Sequence, residues 1–311
     1  MNLRQIDYIL AVAEYRHFEL AAEKCYITQS TLSTMIAKFE DEIGLKIFDR
    51  KKKPIGITQE GNAILGQLRT IRTNFNQLEE MAQEIRGEIK GKLSISVIPT
   101  IAPYLLPLFL PNFVTKYPQL QIEIREQTTD EIIRQLRSRT IDIGILSTPL
   151  YEKDIIELPL YDEPFLLFDT QLKTKNDIEL KKLAFNQLCL LEEGHCMRTQ
   201  VLNLCELHKK KINNKLHFDY KAGSIDSLLR FVKASEASTL LPYLAAKDLS
   251  KKDIKYLHKF SAPIPMRTIG LVVHQHFVKK KLLLQIEKEI KSKVLPLLPE
   301  AIEKVKILEP R

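Results

Sequence analysis

The sequence predicts two domains of different fold class: an all-α unit at the N-terminus, continued by one long helix, and a larger α/β unit made of two lobes. Three observations predict this division. Apolar residues recur at helical spacing through most of the first 85 residues, on either side of a short basic segment. Two glycines, Gly87 and Gly91, then interrupt the pattern, and strands alternate with helices beyond them. We expect a first domain at residues 1–58, a linker helix and hinge at 59–90, and a second domain at 91–311.

Composition restricts the class of protein. A chain of 311 residues can bury two sizeable cores, and 44% hydrophobic with 28% charged residues is ordinary for a globular protein. No apolar run approaches the roughly 18 residues that a membrane span needs, and the N-terminus lacks a signal-peptide core. We therefore expect a cytoplasmic protein with no membrane partner. In that reducing compartment we do not expect the 4 cysteines to form structural disulfides, so their reactivity becomes the question. No zinc-spaced Cys/His set or nucleotide-binding glycine loop is present, so we expect no metal and no cofactor.

The net charge of +8 does not itself indicate DNA binding. Residues 1–90 contain 13 Lys/Arg and 13 Asp/Glu, so the excess falls in the second domain, for example at 209–211 and 279–281. Such runs are usually solvated helix ends and loops. A prediction of DNA binding must therefore come from motifs.

The first domain has the pattern of a helix-turn-helix. Helices are expected at Leu3–Tyr15, at Phe18–Tyr26 and from about Ser30 to Ile43, with Thr28 capping the third and Gly44 ending it. The second helix of such a pair lies in the major groove of DNA. The polar side chains that it presents are Gln29, Ser30, Thr31, Ser33, Thr34 and Lys38. The same residues would also suit the solvent face of an ordinary three-helix bundle.

A basic segment follows the third helix. Phe48–Thr58 has the composition of a hairpin wing, with Arg50 placed to reach a minor groove. With this wing, residues 1–60 resemble the winged helix-turn-helix of LysR-type transcriptional regulators. The residues that carry the resemblance are Phe18, Ala21, Ala22, 29–33, Ile36, Phe39, Glu40, Gly44, Leu45, 48–50, Thr58, Gly61 and Ala63.

The linker lacks proline and carries a long apolar repeat. Its members are Ala63, Leu65, Leu68, Ile71, Phe75, Leu78, Met81, Ala82 and Ile85. This set suits a long helix that dimerises along one seam. The alternative is a helix that packs only on its own domain.

The second domain alternates strands with helices. The expected strands are 93–98, 120–126, 141–146, 155–169, 188–191, 216–220 and 269–273, with helices at 104–117 and 129–138. Pro107 and Pro111 are expected to interrupt the first of these helices. Alternation at these lengths implies parallel α/β units, which bind ligands at the carboxyl ends of their strands. Thr100 and Thr129, which follow two such strands, are therefore candidate cleft residues.

Cys196 stands at the start of a predicted short helix with apolar positions at Met197, Val201 and Leu204. The helix dipole favours the thiolate there, and His195 and Arg198 add cationic groups on either side. Cys205 lies nine residues later, which is about 13 Å along a helix, whereas a disulfide tolerates about 7 Å. The pair could bond only if the helix unwinds. Burial of both as inert core thiols remains an alternative, and Cys25 and Cys189 are expected to be core residues.

The second domain resembles the periplasmic-binding-protein-like effector domain of the LysR family, with lobe I at about 91–162 and 268–311 and lobe II at about 163–267. Four segments resemble the OxyR subgroup, the hydrogen peroxide sensors. They are 98–107, 160–164, 267–272 and 194–200 with Cys205. Two stretches depart from the family pattern: 233–238 lacks the usual glycines, and 209–215 is unusually basic.

The OxyR resemblance implies a role for each site residue. Cys196 would be the thiol that reacts with peroxide and Cys205 the thiol that resolves it into a disulfide. Thr100, Thr129 and His195 would position hydrogen peroxide, and Arg267 would stabilise the thiolate or the leaving hydroxide.

The same resemblance implies a transcriptional regulator without enzymatic turnover. It would be a homo-oligomer, as a dimer of dimers, that binds double-stranded DNA and is reduced by a cellular thiol. Two alternatives remain open at this stage. One is a LysR-type regulator that senses a small metabolite between the lobes, and the other is a thiol peroxidase.

Overall fold

The structure is a computed structural model. It describes residues 1–174, 176–180, 188–192, 194, 196–204, 222–235, 237–300 and 305–310. The predicted strand at 216–220, together with His195 and Cys205, lies outside the described residues. The chain divides into two compact units, Met1–Arg86 and Gly87–Arg311. Among the described helices, none is long and apolar enough to cross a membrane.

The first unit has the predicted helices and a small wing. Its elements are α1 (Leu3–Tyr15), α2 (Phe18–Lys24), α3 (Gln29–Ile43), β1 (Phe48–Asp49), β2 (Gly56–Ile57) and α4 (Gln59–Arg86). Thr28 caps α3 by accepting a hydrogen bond from the backbone N–H of Thr31, and Gly44 ends it at a φ of 70°. Both predicted end signals are thus confirmed. Helix α2 ends two residues before the predicted Tyr26, because Tyr26 adopts a φ of 55° that a helix does not allow.

Helix α4 divides its apolar side chains between two environments. Leu65 and Leu68 are buried and belong to the core of the first unit. From the middle of the helix onward the apolar side chains are exposed, at Ile71, Phe75, Leu78, Met81 and Ile85. The predicted seam is therefore shorter than the sequence suggested, because its first turns serve the core of their own domain.

The second unit contains a mixed sheet with helices on both lobes. Its elements are β3 (Gly91–Val97), α5 (Ala102–Lys116), β4 (Leu120–Glu126), α6 (Thr129–Arg137), β5 (Ile143–Thr148), β6 (Ile155–Asp169), α7 (Cys196–Leu204), α8 (Ile225–Ser235), β7 (Ser238–Pro242), α9 (Tyr243–Lys247), β8 (Leu257–His258), β9 (Ile264–His274), α10 (Lys280–Val294) and β10 (Val305–Ile307).

The sheet is only partly parallel. Strand β3 pairs parallel with β4 and β5, and β10 pairs parallel with β9. Strand β9 runs antiparallel to both β5 and β6, and β7 and β8 run antiparallel to β6. The predicted parallel pairing is therefore confirmed for β3, β4 and β5, and it is wrong for β6, β7, β8 and the pairing of β9 with β5 and β6. The reason is that β6 and β9 are long strands that pass between the lobes in opposite directions.

Two further local predictions are corrected. Helix α5 runs without a break through Pro107 and Pro111. It buries Leu105, Phe109 and Phe113, and that packing outweighs the local cost of an interior proline, about 3 kcal/mol each. The segment 188–191 forms isolated bridges at its two ends and no strand.

Each lobe has its own apolar core. The lobe I cluster combines side chains of β3, β5 and β9 with those of α5, α6 and α10, and the lobe II cluster combines the end of β6 with β7, α7 and α8. Tyr104 packs against both clusters. Helix α7 also meets both, since Cys196 belongs to the lobe I cluster whereas Met197, Val201 and Leu204 belong to that of lobe II. The predicted thiol therefore lies where the two cores meet.

Candidate redox centre and DNA-binding surface

A turn at Gly194 precedes Cys196 and the helix α7 that begins there. Gly194 has a φ of 94°, a conformation that favours glycine over residues with a Cβ. A Cβ built on Gly194 would lie 3.4 Å from Cγ2 of Thr128, so the turn lies against the start of α6. Helix α7 begins two residues later at Cys196, whose side chain is only 6% exposed. The predicted helix and its apolar stripe are confirmed over Cys196–Leu204.

Arg267 is the buried cation beside this thiol. Its guanidinium donates to Oε2 of Glu163 at 2.9 Å through Nε, to Oγ1 of Thr100 at 3.0 Å through Nη1, and to the Thr100 carbonyl at 3.3 Å through Nη2. Arg267 and Glu163 are each 1% exposed. The other carboxylate oxygen of Glu163 accepts from the backbone N–H of Leu244 at 2.7 Å. The ion pair is therefore fixed from several sides, as a buried charge requires.

The two threonines predicted at the site are not helix caps. Thr128 caps α6, which leaves the buried hydroxyl of Thr129 without a hydrogen-bond partner of good geometry among the described residues. This hydroxyl nevertheless lies near enough to the Cys196 sulfur to favour its thiolate form. The residue before α5 is Ile101, and the Thr100 hydroxyl instead accepts from Arg267. Both side chains are thus available to the thiol site.

The sequence suggested that the Cys196 thiol would be ionised, and the structure does not support this. Burial raises the pKa of Cys196 above its ordinary value, and Arg267, Thr129 and the backbone N–H groups at the start of α7 lower it only in part. Arg198, predicted to assist, instead donates to the Leu191 carbonyl at 2.9 Å. The backbone N–H groups at the start of α7 lower the pKa of Cys196 as expected. The loss of hydration on burial raises it by more.

The structure therefore brings Cys196, Thr100, Thr129 and Arg267 together. It adds Glu163, which sequence reasoning did not single out for a role. The sequence signal for Glu163 was weak, because β6 also carries Glu157, Asp162 and Asp169. Only its burial distinguishes Glu163, since a buried charge must be paired. Its partner lies 104 residues away, and no local pattern identifies it.

Gln200 is a second residue that the sequence did not single out. It follows Cys196 by one helical turn and is 0% exposed. Its Nε2 donates to Oγ of Ser147 on β5 at 2.9 Å and to the backbone carbonyl of Leu308 at 2.8 Å. Helix α7 is thereby joined to lobe I and to the C-terminal segment.

The other two described cysteines lie away from this centre. Cys25 is half-buried against the core of the first unit, and Cys189 is half-buried against the lobe II cluster. Burial raises the pKa of both thiols. These positions agree with the expectation of core residues. Among the described residues, no group of His, Cys, Asp and Glu side chains has the arrangement of a metal site.

Helix α3 presents the predicted polar surface. Gln29, Ser30, Thr31, Thr34 and Lys38 are exposed, and Ser33 is half-buried. Arg50 from the wing lies against this helix and donates to Oγ of Ser33 at 2.9 Å. Its guanidinium also lies 3.6 Å from the buried carboxylate of Glu40 and 5.1 Å from the centre of the Phe18 ring. Arg50 thus extends the polar face of α3 in this structure.

Two family models match the chain. One, described as a bacterial regulatory helix-turn-helix protein of the lysR family, covers residues 3–62, and the other, the LysR substrate binding domain, covers residues 86–284. The second match alone spans more than half of the chain. The chain belongs to the LysR family.

Its place in the family follows from its relatives. The chain is 35% identical over 276 residues to the DNA-binding transcriptional dual regulator OxyR of Escherichia coli K12. This match covers 88% of the chain and 89% of the relative. The chain is 36% identical to the hydrogen peroxide-inducible genes activator of Pectobacterium carotovorum, covering 88% and 90%. These matches put the chain in the OxyR group of the family.

Solved OxyR structures resemble this LysR family member along most of its length. A full-length OxyR variant of Pseudomonas aeruginosa matches with a TM-score of 0.69 and 30% identity, covering 94% of this chain and 98% of the other. An OxyR mutant of Corynebacterium glutamicum, solved with hydrogen peroxide bound, matches with a TM-score of 0.62 and 25% identity, covering 96% and 94%.

Proposed function

We propose that this regulator senses hydrogen peroxide by reversible oxidation of Cys196, which forms a disulfide with Cys205 and changes the conformation in which the protein binds DNA. The observation that supports this most directly is the buried thiol at the start of α7, beside a fixed guanidinium and two threonine hydroxyls. Similarity over 88% of the chain to relatives that are named hydrogen peroxide-inducible genes activators points the same way.

The chemistry requires no group beyond the two thiols and peroxide. The Cys196 sulfur attacks one peroxide oxygen, the O–O bond breaks, and hydroxide leaves. The proton that the Cys196 thiol gives up converts this hydroxide to water. Cys196 is then a sulfenic acid. The Cys205 thiol attacks that sulfur, a second water leaves, and a disulfide remains. Two thiols have lost two electrons and peroxide has become two waters. A cellular thiol reductant reverses the change.

The side chains around Cys196 have distinct tasks in this proposal. The Thr100 hydroxyl accepts from Arg267, so its own proton is directed away from the guanidinium and can be donated to a peroxide oxygen. The buried Thr129 hydroxyl faces the sulfur and gains a partner when peroxide arrives. Arg267 stabilises negative charge on the sulfur and on the departing hydroxide. We assign His195 to peroxide positioning from the family motif.

The raised pKa of Cys196 fits a sensor that must stay reduced without peroxide. Most of the thiol is protonated at neutral pH, so it resists other electrophiles. Deprotonation then accompanies the attack, when Arg267 and Thr129 act on the developing charge. Because the disulfide closes once per signal, we propose a sensor without catalytic turnover.

DNA recognition is assigned to the exposed residues of α3 and to the wing. We propose that Gln29, Ser30, Thr31, Ser33 and Thr34 contact base edges. Lys38 would contact a phosphate, and Arg50 would reach a minor groove. The exposed apolar side chains of α4 would form a dimer seam, and effector contacts would complete a dimer of dimers. A DNA-bound regulator works where the chromosome is, so we place it in the cytoplasm.

The test is to treat the reduced protein with one equivalent of peroxide, alkylate free thiols and identify cross-linked peptides by mass spectrometry. We expect a peptide pair that joins Cys196 to Cys205, with Cys25 and Cys189 alkylated. In parallel, the wild-type DNA footprint should change with peroxide and that of Cys196→Ser should not. Cys189→Ser is the matched control and should respond as the wild type does. Unmodified Cys196, or a footprint change in Cys196→Ser, would refute the proposal and favour a metabolite ligand.

A further inference from the structure

The C-terminal segment is held to the redox helix by a small set of contacts. Strand β10 pairs with the first residues of β9, and the N–H of Leu308 donates to the Met266 carbonyl at 2.7 Å. The carbonyl of Leu308 accepts from Gln200 at 2.8 Å. The Leu308 side chain is 3% exposed and belongs to the lobe II cluster that contains the apolar side chains of α7. Tyr151 adds one hydrogen bond to Glu309 at 2.8 Å.

Gln200 lies on the segment that the disulfide must rearrange. It is the fourth residue after Cys196 and the fifth before Cys205, and it shares the face of α7 that carries Cys196. In a continuous helix from position 196 to position 205 the two Cα atoms would be about 13 Å apart, which is too far for a disulfide. To join the sulfurs, either Cys196 must leave its buried position or α7 must unwind. Because Gln200 lies one turn from Cys196 on the same face, a movement of that turn would carry its amide away from Ser147 and Leu308.

We propose that Gln200 is a positioning residue of the switch: it clasps the C-terminal segment 305–310 while the protein is reduced, and disulfide formation releases that segment. This inference rests on the proposed function. It extends the consequence of oxidation from α7 to the C-terminus and to the strand that carries Arg267, because Met266, the partner of Leu308, precedes Arg267 directly.

Once the Gln200 hydrogen bond is lost, the hydrogen bonds that still hold this segment among the described residues are few. They are the ladder of β10 with β9, the bond from the Leu308 N–H to Met266 and the bond from Tyr151 to Glu309. Strand β10 has only three residues, and Val305 and Ile307 are exposed at 41% and 38%. Short exposed strands open with small free energies, so their amides exchange readily when a tertiary anchor is lost. Leu308 is the anchor: its side chain is buried in the lobe II cluster, to which α7 contributes Met197, Val201 and Leu204.

The test compares hydrogen–deuterium exchange of a C-terminal peptide covering 305–310 in the reduced and the peroxide-treated full-length protein. We expect slow exchange in the reduced form and at least tenfold faster exchange after oxidation. Strand β4 serves as an internal control and should not change. Cys196→Ser should show slow exchange with and without peroxide.

The same digest reports whether the disulfide has formed, which separates two ways to fail. If the disulfide forms and exchange of the C-terminal peptide stays slow, the proposed role of Gln200 is refuted and the proposed function is not. Absence of the disulfide would refute the proposed function, and the clasp as a redox device with it.

A variant pair tests Gln200 itself. Gln200→Leu keeps an apolar stem but removes the donor, so the C-terminal peptide of the reduced protein should exchange nearly as fast as that of the oxidised wild type. In a dithiothreitol redox buffer its thiol–disulfide equilibrium should move roughly tenfold toward the disulfide, because the lost hydrogen bonds stabilise only the reduced form. Ser147→Ala is the matched control: it removes the other acceptor, and the peptide should stay protected. If both variants have wild-type exchange and a wild-type equilibrium, Gln200 has no such role.

Discussion

Replacement of Arg267 by methionine should separate two roles that the structure gives to one side chain. The substitution removes the donors to Thr100 and Glu163 and leaves the Glu163 carboxylate buried, with the Leu244 N–H as its remaining donor among the described residues. An uncompensated buried charge costs about 3–5 kcal/mol. For a unit of this size we expect Tm to fall by at least about 6 °C. Reaction of Cys196 with peroxide should also slow, because Arg267 is the main group that lowers the pKa of this thiol.

A double variant distinguishes the structural role from the chemical one. Arg267→Met with Glu163→Gln removes the stranded charge, so most of the lost stability should return while peroxide reactivity stays low. Thermal unfolding followed by circular dichroism suits this chain, which has no tryptophan. The rate at which Cys196 disappears from an alkylation assay measures the reaction. Arg198→Met is the control and should affect neither strongly. The reasoning fails if Arg267→Met loses less than about 1 kcal/mol, or if the double variant is no more stable than the single one.

Three further outcomes are expected. Gly144→Ala places a Cβ 2.6 Å from two aliphatic side chains and should cost about 1–3 kcal/mol in urea unfolding, whereas Gly66→Ala, in open space on α4, should cost nothing. Thr28→Ala removes the α3 cap and should cost the DNA-binding unit about 1 kcal/mol, and an unchanged urea midpoint would contradict this. The pKa of Cys196 is higher in the folded than in the unfolded protein. The protonated thiol therefore favours the folded state below about pH 9, and this contribution to the free energy of unfolding is lost as the pH rises further. Cys196→Ser should therefore lose less stability between pH 7 and pH 10 than the wild type.

Local signals predicted most of the helices and the centre of the site. The cap at Thr28, the glycine at Gly44 and the apolar stripe that follows Cys196 each depend on neighbours within about two helical turns. Such signals are visible in a sequence because the interaction that fixes the structure is itself local. The structure agrees with the sequence at all three.

Predictions that depended on distant partners were less successful. The ion pair of Glu163 with Arg267 joins residues 104 apart, and the antiparallel pairing of β6 with β9 is equally non-local. Helix α5 tolerates two interior prolines because its buried face packs on a core that the local pattern does not reveal. The prediction that Cys196 is a thiolate was wrong for the same reason. The helix start was visible in the sequence, but the desolvation that outweighs it was not.

The position of α7 constrains what oxidation can produce. Met197, Val201 and Leu204 are buried in lobe II, and exposing all three would cost about 5–9 kcal/mol at 1.5–3 kcal/mol for each side chain. That cost is comparable to the whole stability of a typical domain, about 5–15 kcal/mol. A disulfide that merely unfolded α7 would therefore destabilise the effector domain almost completely. If Cys196 and Cys205 do join, these side chains must be buried again in a different arrangement. The oxidised form is then a second packed state, and a packed state presents a defined surface through which a regulator can alter its contacts with a partner copy or with DNA.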